Sequence, residues 1–310
     1  MEIPLVSLRF VQYMAVMILF GSSLFPYYAL AGKGSNRACN ADTAAFLQRV
    51  AFYASLAGLL SAVGWLGCEA VLMSGDANGY REGSIIWTVL SDTEFGEIWR
   101  WRLLLLLLMP IFLGWRLLRH RAPLVWPVLV SGIFLVASLA GVGHGAMGIG
   151  FSVWAHLGNQ AVHLLAAAVW VGGLLSLFHT IRYIRSTALG VELQRHALAR
   201  FSLVGFVAVL LIVASGLLNT WFLVGSFDAL LHTTYGQVLM VKVACFLFMV
   251  ALALFNRLFV MPQLAGAGDG EASLQLLLRS VVAEQIFAIL VVASVSLLGT
   301  LAPAMDRMVM

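Results

Sequence analysis

Three of the chain's seven histidines, His144, His156 and His163, fall within twenty residues of one another. Neutral imidazole is a ligand for copper, zinc, iron and nickel, so this cluster is where metal chemistry would be sought first. His156 and His163 are seven positions apart, which on a helix places them on one face two turns apart, with Asn159 and Gln160 between them. The flanking residues are apolar enough to lie in a membrane. A charge at the centre of a membrane helix costs about 2.5–3.5 kcal/mol on insertion scales, so a polar stripe there points to a task. Two turns separate the Cα atoms by roughly 10 Å. The two rings therefore need further ligands to form one site, or else act as successive stations. The alternative is two histidines hydrogen-bonded across neighbouring helices, as polar residues in membrane bundles often are.

Other residues could complete such a site. His144 lies in Gly141-Val142-Gly143-His144-Gly145-Ala146-Met147-Gly148, a glycine-rich loop in which a ligand can approach the backbone closely. The Met147 thioether would bias a site toward Cu(I); the alternative for His144 is a helix cap or interfacial residue. Glu69 follows Cys68 near the same end of the second apolar run. It is either a hard ligand or the ion-pair partner of Arg9, Arg102 or Lys242. Candidate metal ligands are thus His144, Met147, His156, His163 and Glu69. Met73 and Met240 read as packing more than as ligands, and His232 is a secondary candidate. His120, His179 and His196 lie among arginines at the opposite end, with His179 a conceivable exit station. Glu284 is expected to pair with Arg279 or a backbone donor.

The elements that position these residues follow from composition. The 310 residues are 62% hydrophobic and 10% charged, with a mean hydropathy of +0.97; a soluble domain carries about 25% charged residues. The chain is read as an all-α integral membrane protein, because backbone groups in lipid must pair within each segment. Eight spans are expected, at about 5–30, 45–73, 98–118, 123–142, 153–179, 201–224, 236–260 and 277–301. Twelve of the 18 Lys and Arg residues fall in the loops at 31–49, 114–122, 180–200 and 256–280. That distribution predicts these loops inside and both termini outside, on the periplasmic face of a bacterial inner membrane. A signal-peptidase reading of Ala29-Leu30-Ala31 stays open as the rival. The net charge of +4 belongs to span flanks and does not suggest nucleic acid. Cys39, Cys68 and Cys245 form no CxxC or haem-attachment motif. No Walker loop, dinucleotide fingerprint or nucleophile triad occurs, so the chain is expected not to be an enzyme, with redox chemistry left open. The segment 74–97 is expected to carry a short amphipathic piece, Ser84–Leu90, lying on the membrane surface.

A repeat sets the larger organisation. Thr93-Glu94-Phe95-Gly96 through Arg102 matches Thr233-Thr234-Tyr235-Gly236 through Lys242 as T-x-[FY]-G-x-x-[WL]-x-x-[RK]. A weaker match sets Gln12–Gly21 beside His163–Gly172. The expectation is two four-helix halves in parallel repeat, 1–121 and 122–310, or 1–142 and 143–310 if the cut is placed later. Gln12 stands where His163 stands, which confines the histidine stripe to the second half.

The residues assembled so far resemble the copper resistance protein D family, CopD. The resemblance rests on Arg9, Tyr13, Gly21 and Phe25, on Thr93-x-Phe95-Gly96-x-x-Trp99-x-x-Arg102, and on Gly143-His144-Gly145. It continues through His163-x6-Trp170-x-Gly172-Gly173-Leu174, Arg200-Phe201-Ser202, Ser215-Gly216, Tyr235-Gly236-x-x-Leu239-x-x-Lys242, Asn256-Arg257 and Glu284. The resemblance implies a multi-spanning inner-membrane protein of copper homeostasis, with a copper ion as cargo and a periplasmic copper-binding protein of the CopC type as partner. The mapping of copper onto the histidines is our own inference. Import is the expected direction: Met147 and His144 would receive the ion and pass it to His156 and His163, with Glu69 supplying charge. The membrane potential, worth about 2.3 kcal/mol per unit charge per 100 mV, would drive it. Two other functions stay open: a b-type haem or copper redox protein, for which a second deep histidine on another span is wanting, and a copper sensor or assembly factor that does not transport.

Overall fold

Every element of the chain is helical where the computed structural model describes it, at residues 2–30, 37–119, 125–142, 151–185, 190–224, 227–265 and 270–301. The first group comprises α1 (Glu2–Ala29), α2 (Arg37–Ser74), α3 (Gly83–Asp92), α4 (Glu94–Leu118) and α5 (Val125–Ala137). The second comprises α6 (Phe151–Arg185), α7 (Gly190–Val224), α8 (Phe227–His232), α9 (Thr234–Phe255), α10 (Met261–Ala265) and α11 (Gly270–Leu298). Among the described residues, seven helices are long and apolar enough to cross a membrane. A shorter apolar one, Trp126–Gly141, stands in the place of the expected fourth span. α3 is the expected short piece between α2 and α4.

The local reason for two of the helix starts is the repeated Thr-x-[FY]-Gly. Thr93 and Thr233 are both extended, and each Oγ1 accepts from the backbone N–H three residues on, Gly96 at 2.9 Å and Gly236 at 3.0 Å. This satisfies an orphan donor at the first turn. The glycines are required sterically: a Cβ at Gly96 would strike the carbonyls of Val89 and Leu90, and one at Gly236 that of Leu230. α3 thus folds back onto α4 as α8 does onto α9. Thr93→Ala is expected to cost about 1 kcal/mol of stability, read as a small fall in melting temperature.

α1 and α6 form the centre. Each packs against the other, against α5 and against α11, while α2 covers α1 and α7 covers α6. Their crossing is at Gly21 and Gly172, where a Cβ on Gly21 would lie 2.7 Å from the Cα of Gly172. Small residues at such a crossing let two membrane helices approach to backbone contact. One apolar cluster surrounds α1, α2, α4 and α5, with Trp65, Trp99, Leu106 and Leu135 fully buried. A second surrounds α6, α7, α9 and α11, with Leu174, Ile181 and Met249 at its heart.

A polar network threads the first cluster. Arg102 is completely buried, and its Nη1 donates to Leu135 O at 2.5 Å and to Ser138 Oγ at 2.6 Å. The hydrogen-bond pattern assigns the Gln12 amide: its oxygen accepts from Arg102 Nη2 at 2.7 Å, and its nitrogen donates to Gly58 O at 2.7 Å and Ser61 Oγ at 2.6 Å. The guanidinium also lies 5.1 Å from the Trp99 ring centroid. Four helices, α1, α2, α4 and α5, are joined through this one side chain.

At the far end of α9 the helix continues without a break into a π turn, Asn256–Val260, and then α10. π turns insert a residue and re-aim side chains. Here Asn256 Nδ2 donates to Glu284 Oε1 at 2.8 Å, both residues being buried. Asn256, rather than the expected Arg279 or a backbone group, is therefore the observed partner of Glu284.

Candidate functional site

The residue positions that hold Gln12, Ser61 and Arg102 together on α1, α2 and α4 have counterparts on α6, α7 and α9: His163, Ser215 and Lys242. Ser215 Oγ donates to Leu211 O at 2.5 Å, so its lone pairs face the imidazole, and His163 Nδ1 lies 2.9 Å away. The network therefore assigns the proton of neutral His163 to Nδ1 and leaves the lone pair on Nε2. This is the tautomer a metal ligand needs, with its second nitrogen held by a hydrogen-bond acceptor. Gly216 gives the ring room, its hypothetical Cβ lying 3.5 Å from His163 Cε1.

Where the first network is closed, the second opens into a cavity of about 110 Å³. His156 and His163 both line it, so the two histidines read onto one helical face do share one space. Asn159 and Gln160 lie between them as expected and are tied to α7. Asn159 Nδ2 donates to Asn219 Oδ1 at 2.8 Å and to Ser215 O at 3.0 Å, and Asn219 Nδ2 donates to Gln160 Oε1 at 2.6 Å. Amide pairing across α6 and α7 fixes the wall that carries the histidines. The remaining polar lining is Arg9 and Tyr13 from α1, Thr220 from α7, and Tyr235 and Lys242 from α9. Among the described residues no carboxylate lines it.

Arg9 is buried and its guanidinium lies 4.6 Å from the Trp65 ring centroid, a cation–π contact. Gly299 lets it reach the end of α11, since any side chain there would collide with the guanidinium. The sequence suggested that Arg9, Arg102 or Lys242 would pair with Glu69. Glu69 instead accepts from Trp65 Nε1 at 2.9 Å, does not line the cavity, and forms no ion pair among the described residues. Of the other candidate ligands, His144 and Met147 lie outside the described residues. Among the described residues no group of three or more His, Cys, Asp and Glu side chains is gathered as a metal cluster. His232 faces solvent beside Asp228 at 3.6 Å, and His179 stacks on Phe46 with centroids 3.5 Å apart; neither lines the cavity.

A second cavity of about 190 Å³ lies among α6, α7, α9, α10 and α11, mostly apolar but holding Asn256 and Glu284. The two cavities share no lining residue. Between them Trp170 meets Phe246 edge to face, with centroids 6.0 Å apart, beside buried Ile212, Ala208 and Ala288.

Sequence reasoning did not find Ser215, Asn219, Tyr13 or Tyr235 as site residues, nor that Arg9 and Lys242 face one space. The only available signal was that Tyr13, Ser215 and Tyr235 fall in the patches of family resemblance.

Fold and site together define a polytopic helical membrane protein with a polar, histidine-bearing cavity between its helices. Residues 1–154 match the family described as "Copper resistance protein D-like, N-terminal domain", and residues 195–298 match "Copper resistance protein D". The chain is 32% identical over 301 residues to "Inner membrane protein YebZ" of Escherichia coli (strain K12), covering 96% of this chain and 98% of that protein. It is 31% identical over 312 residues to "Copper resistance protein D" of Pseudomonas syringae pv. tomato, covering 99% of each. "Copper transport protein CutJ" of Bacillus subtilis (strain 168) is 37% identical over 102 residues, which is 33% of this chain and 19% of that protein. No solved structure matches the chain. The chain belongs to the copper resistance protein D family.

Proposed function

We propose that this protein handles copper in a bacterial inner membrane and imports it from the periplasm to the cytoplasm through the cavity lined by His156 and His163. The observation that carries this reading is His163: Ser215 holds its Nδ1, and the ring lines a polar cavity within the membrane-spanning helices. Imidazole nitrogen is a ligand for copper, and an exchangeable set of such ligands suits a site that must bind and then release. His144 and Met147, in the loop before α6, complete the receiving set in this reading, with a CopC-type periplasmic protein as the donor. Relatives named for copper resistance and copper transport support copper as the cargo. The 12 basic residues in alternate loops support a periplasmic position for both termini, and hence for this cavity.

The same reading takes the chain as two four-helix halves, 1–121 and 122–310. The paired threonine caps, the Gly21–Gly172 crossing and the matched Gln12–Ser61–Arg102 and His163–Ser215–Lys242 sets support it. In this view the first half is scaffold and the second carries the site.

The test is copper(I) affinity of the purified protein, measured by competition with a colorimetric chelator. His163→Ala is expected to lower affinity more than tenfold. Ser215→Ala leaves the ring but frees Nδ1, and a loss of about 10-fold is expected from typical effects of such supporting bonds. His196→Ala should match wild type. Equal affinities in all three would remove the assignment. Uptake of copper into vesicles, lost in His163→Ala, tests transport; equal uptake would leave binding without import. A Soret band in the purified protein would favour haem instead.

A further inference from the structure

The charge inside the polar cavity is unbalanced. Arg9 and Lys242 both line it, as do the hydrogen-bonding side chains of Tyr13, Asn219, Thr220 and Tyr235, and among the described residues no carboxylate does. The Arg9 guanidinium is buried against the face of Trp65, and its Nε has no hydrogen-bond partner among the described residues. The nearest acid that sequence offered, Glu69, is engaged with Trp65 Nε1 instead. Two cationic side chains facing one small, partly dehydrated space repel each other strongly in low dielectric, and buried charges in native proteins are paired. Arg102 shows how the same fold treats a buried cation when no ligand is intended: both terminal nitrogens are taken up by protein oxygens.

We infer that the cavity holds a small anion, a halide or a compact carboxylate, between Arg9 and Lys242. The 110 Å³ volume admits an ion of that size. Guanidinium supplies forked donors, ammonium a point charge, and Tyr13 with the second Nδ2 hydrogen of Asn219 neutral donors, the Thr220 hydroxyl being committed to Gly216 O. The consequence for copper rests on the function proposed above. A cation at His163 would sit in a space already faced by two positive side chains, so the anion is what makes the cargo neutral there. Copper would occupy this site as an ion pair.

The experiment is done first without metal. The full chain in detergent is melted while sodium gluconate is replaced by sodium chloride, or separately by sodium formate, at constant ionic strength. A saturable rise in melting temperature is expected. The rise should vanish in Arg9→Gln and weaken at least tenfold in apparent affinity in Lys242→Gln. Radiochloride binding to the wild type, displaced by formate, provides a measurement that needs no variant. Asp306, in the C-terminal stretch outside the described residues, is the internal rival. If Asp306→Asn destabilises as much as Arg9→Gln while chloride and formate do nothing, the chain supplies its own counter-charge and the inference is overturned. No saturable effect of either salt overturns it as well. His163→Ala should keep the anion effect. If anions bind and copper does not, the copper reading fails and this one stands; if copper binds with no anion effect, the reverse holds.

Discussion

Gly172→Leu is expected to prevent the chain from accumulating as a folded, monodisperse protein in detergent. A Cβ at position 172 would lie 2.9 Å from the carbonyl carbon of Met17 and 3.0 Å from the Cα of Gly21, so what it meets is backbone, which cannot rotate away. α1 and α6 would have to separate at the centre of the bundle. Overpacking of ordinary cores costs about 1–3 kcal/mol, and a helix–helix backbone clash lies beyond that range. Gly158→Leu is the control, since a Cβ there meets nothing within 4 Å. Thermal melting and size-exclusion profiles of the two variants decide the matter: a Gly172→Leu protein that elutes and melts like wild type would mean the crossing is not the centre of the fold.

Arg102→Leu carries the second large effect. It leaves the Leu135 carbonyl, Ser138 and the Gln12 amide oxygen without their donor in a fully buried place. Each buried polar group left unpaired costs about 1–3 kcal/mol, so a loss of about 3 kcal/mol or more is expected. Lysine should not rescue it, because one ammonium cannot reproduce a planar fork reaching α1 and α5 at once. The combination Arg102→Leu, Gln12→Leu and Ser138→Ala should recover much of the loss, since apolar replacement of a whole buried polar set is often neutral. Denaturant or thermal unfolding checks this. Single and triple variants equally unstable would mean that the network acts by shape and not by pairing.

Much of the scaffold was readable from one sequence because membrane helices obey few rules. Eight apolar runs became seven long helices and the short α5, although α2, α7 and α11 begin several residues before the apolar runs do. Thr93 and Thr233 marked two helix starts because a threonine followed three residues on by a glycine states both a cap and a close approach. The site was readable only along α6. Spacing placed His156, Asn159, Gln160 and His163 on one face, and they do share one wall. What faces that wall depends on how helices rotate about their axes, and sequence gives depth but not azimuth. Glu69 was therefore matched to cations at its own level, while Trp65, one turn earlier on the same helix, takes it. Arg9 and Lys242, far apart in sequence, line one cavity for reasons no local pattern carries. Glu284 was misassigned for another reason: a π turn, which has no sequence signature, aims Asn256 at it.

The layer of Trp170, Phe246, Ile212, Ala208 and Ala288 has a bioenergetic consequence. Protons hop along any unbroken file of water, so a continuous wet passage through this bundle would short-circuit the potential on which the cell runs. An apolar septum between the two chambers interrupts that file. Under the import reading proposed above, cargo would have to displace Trp170 to cross this layer.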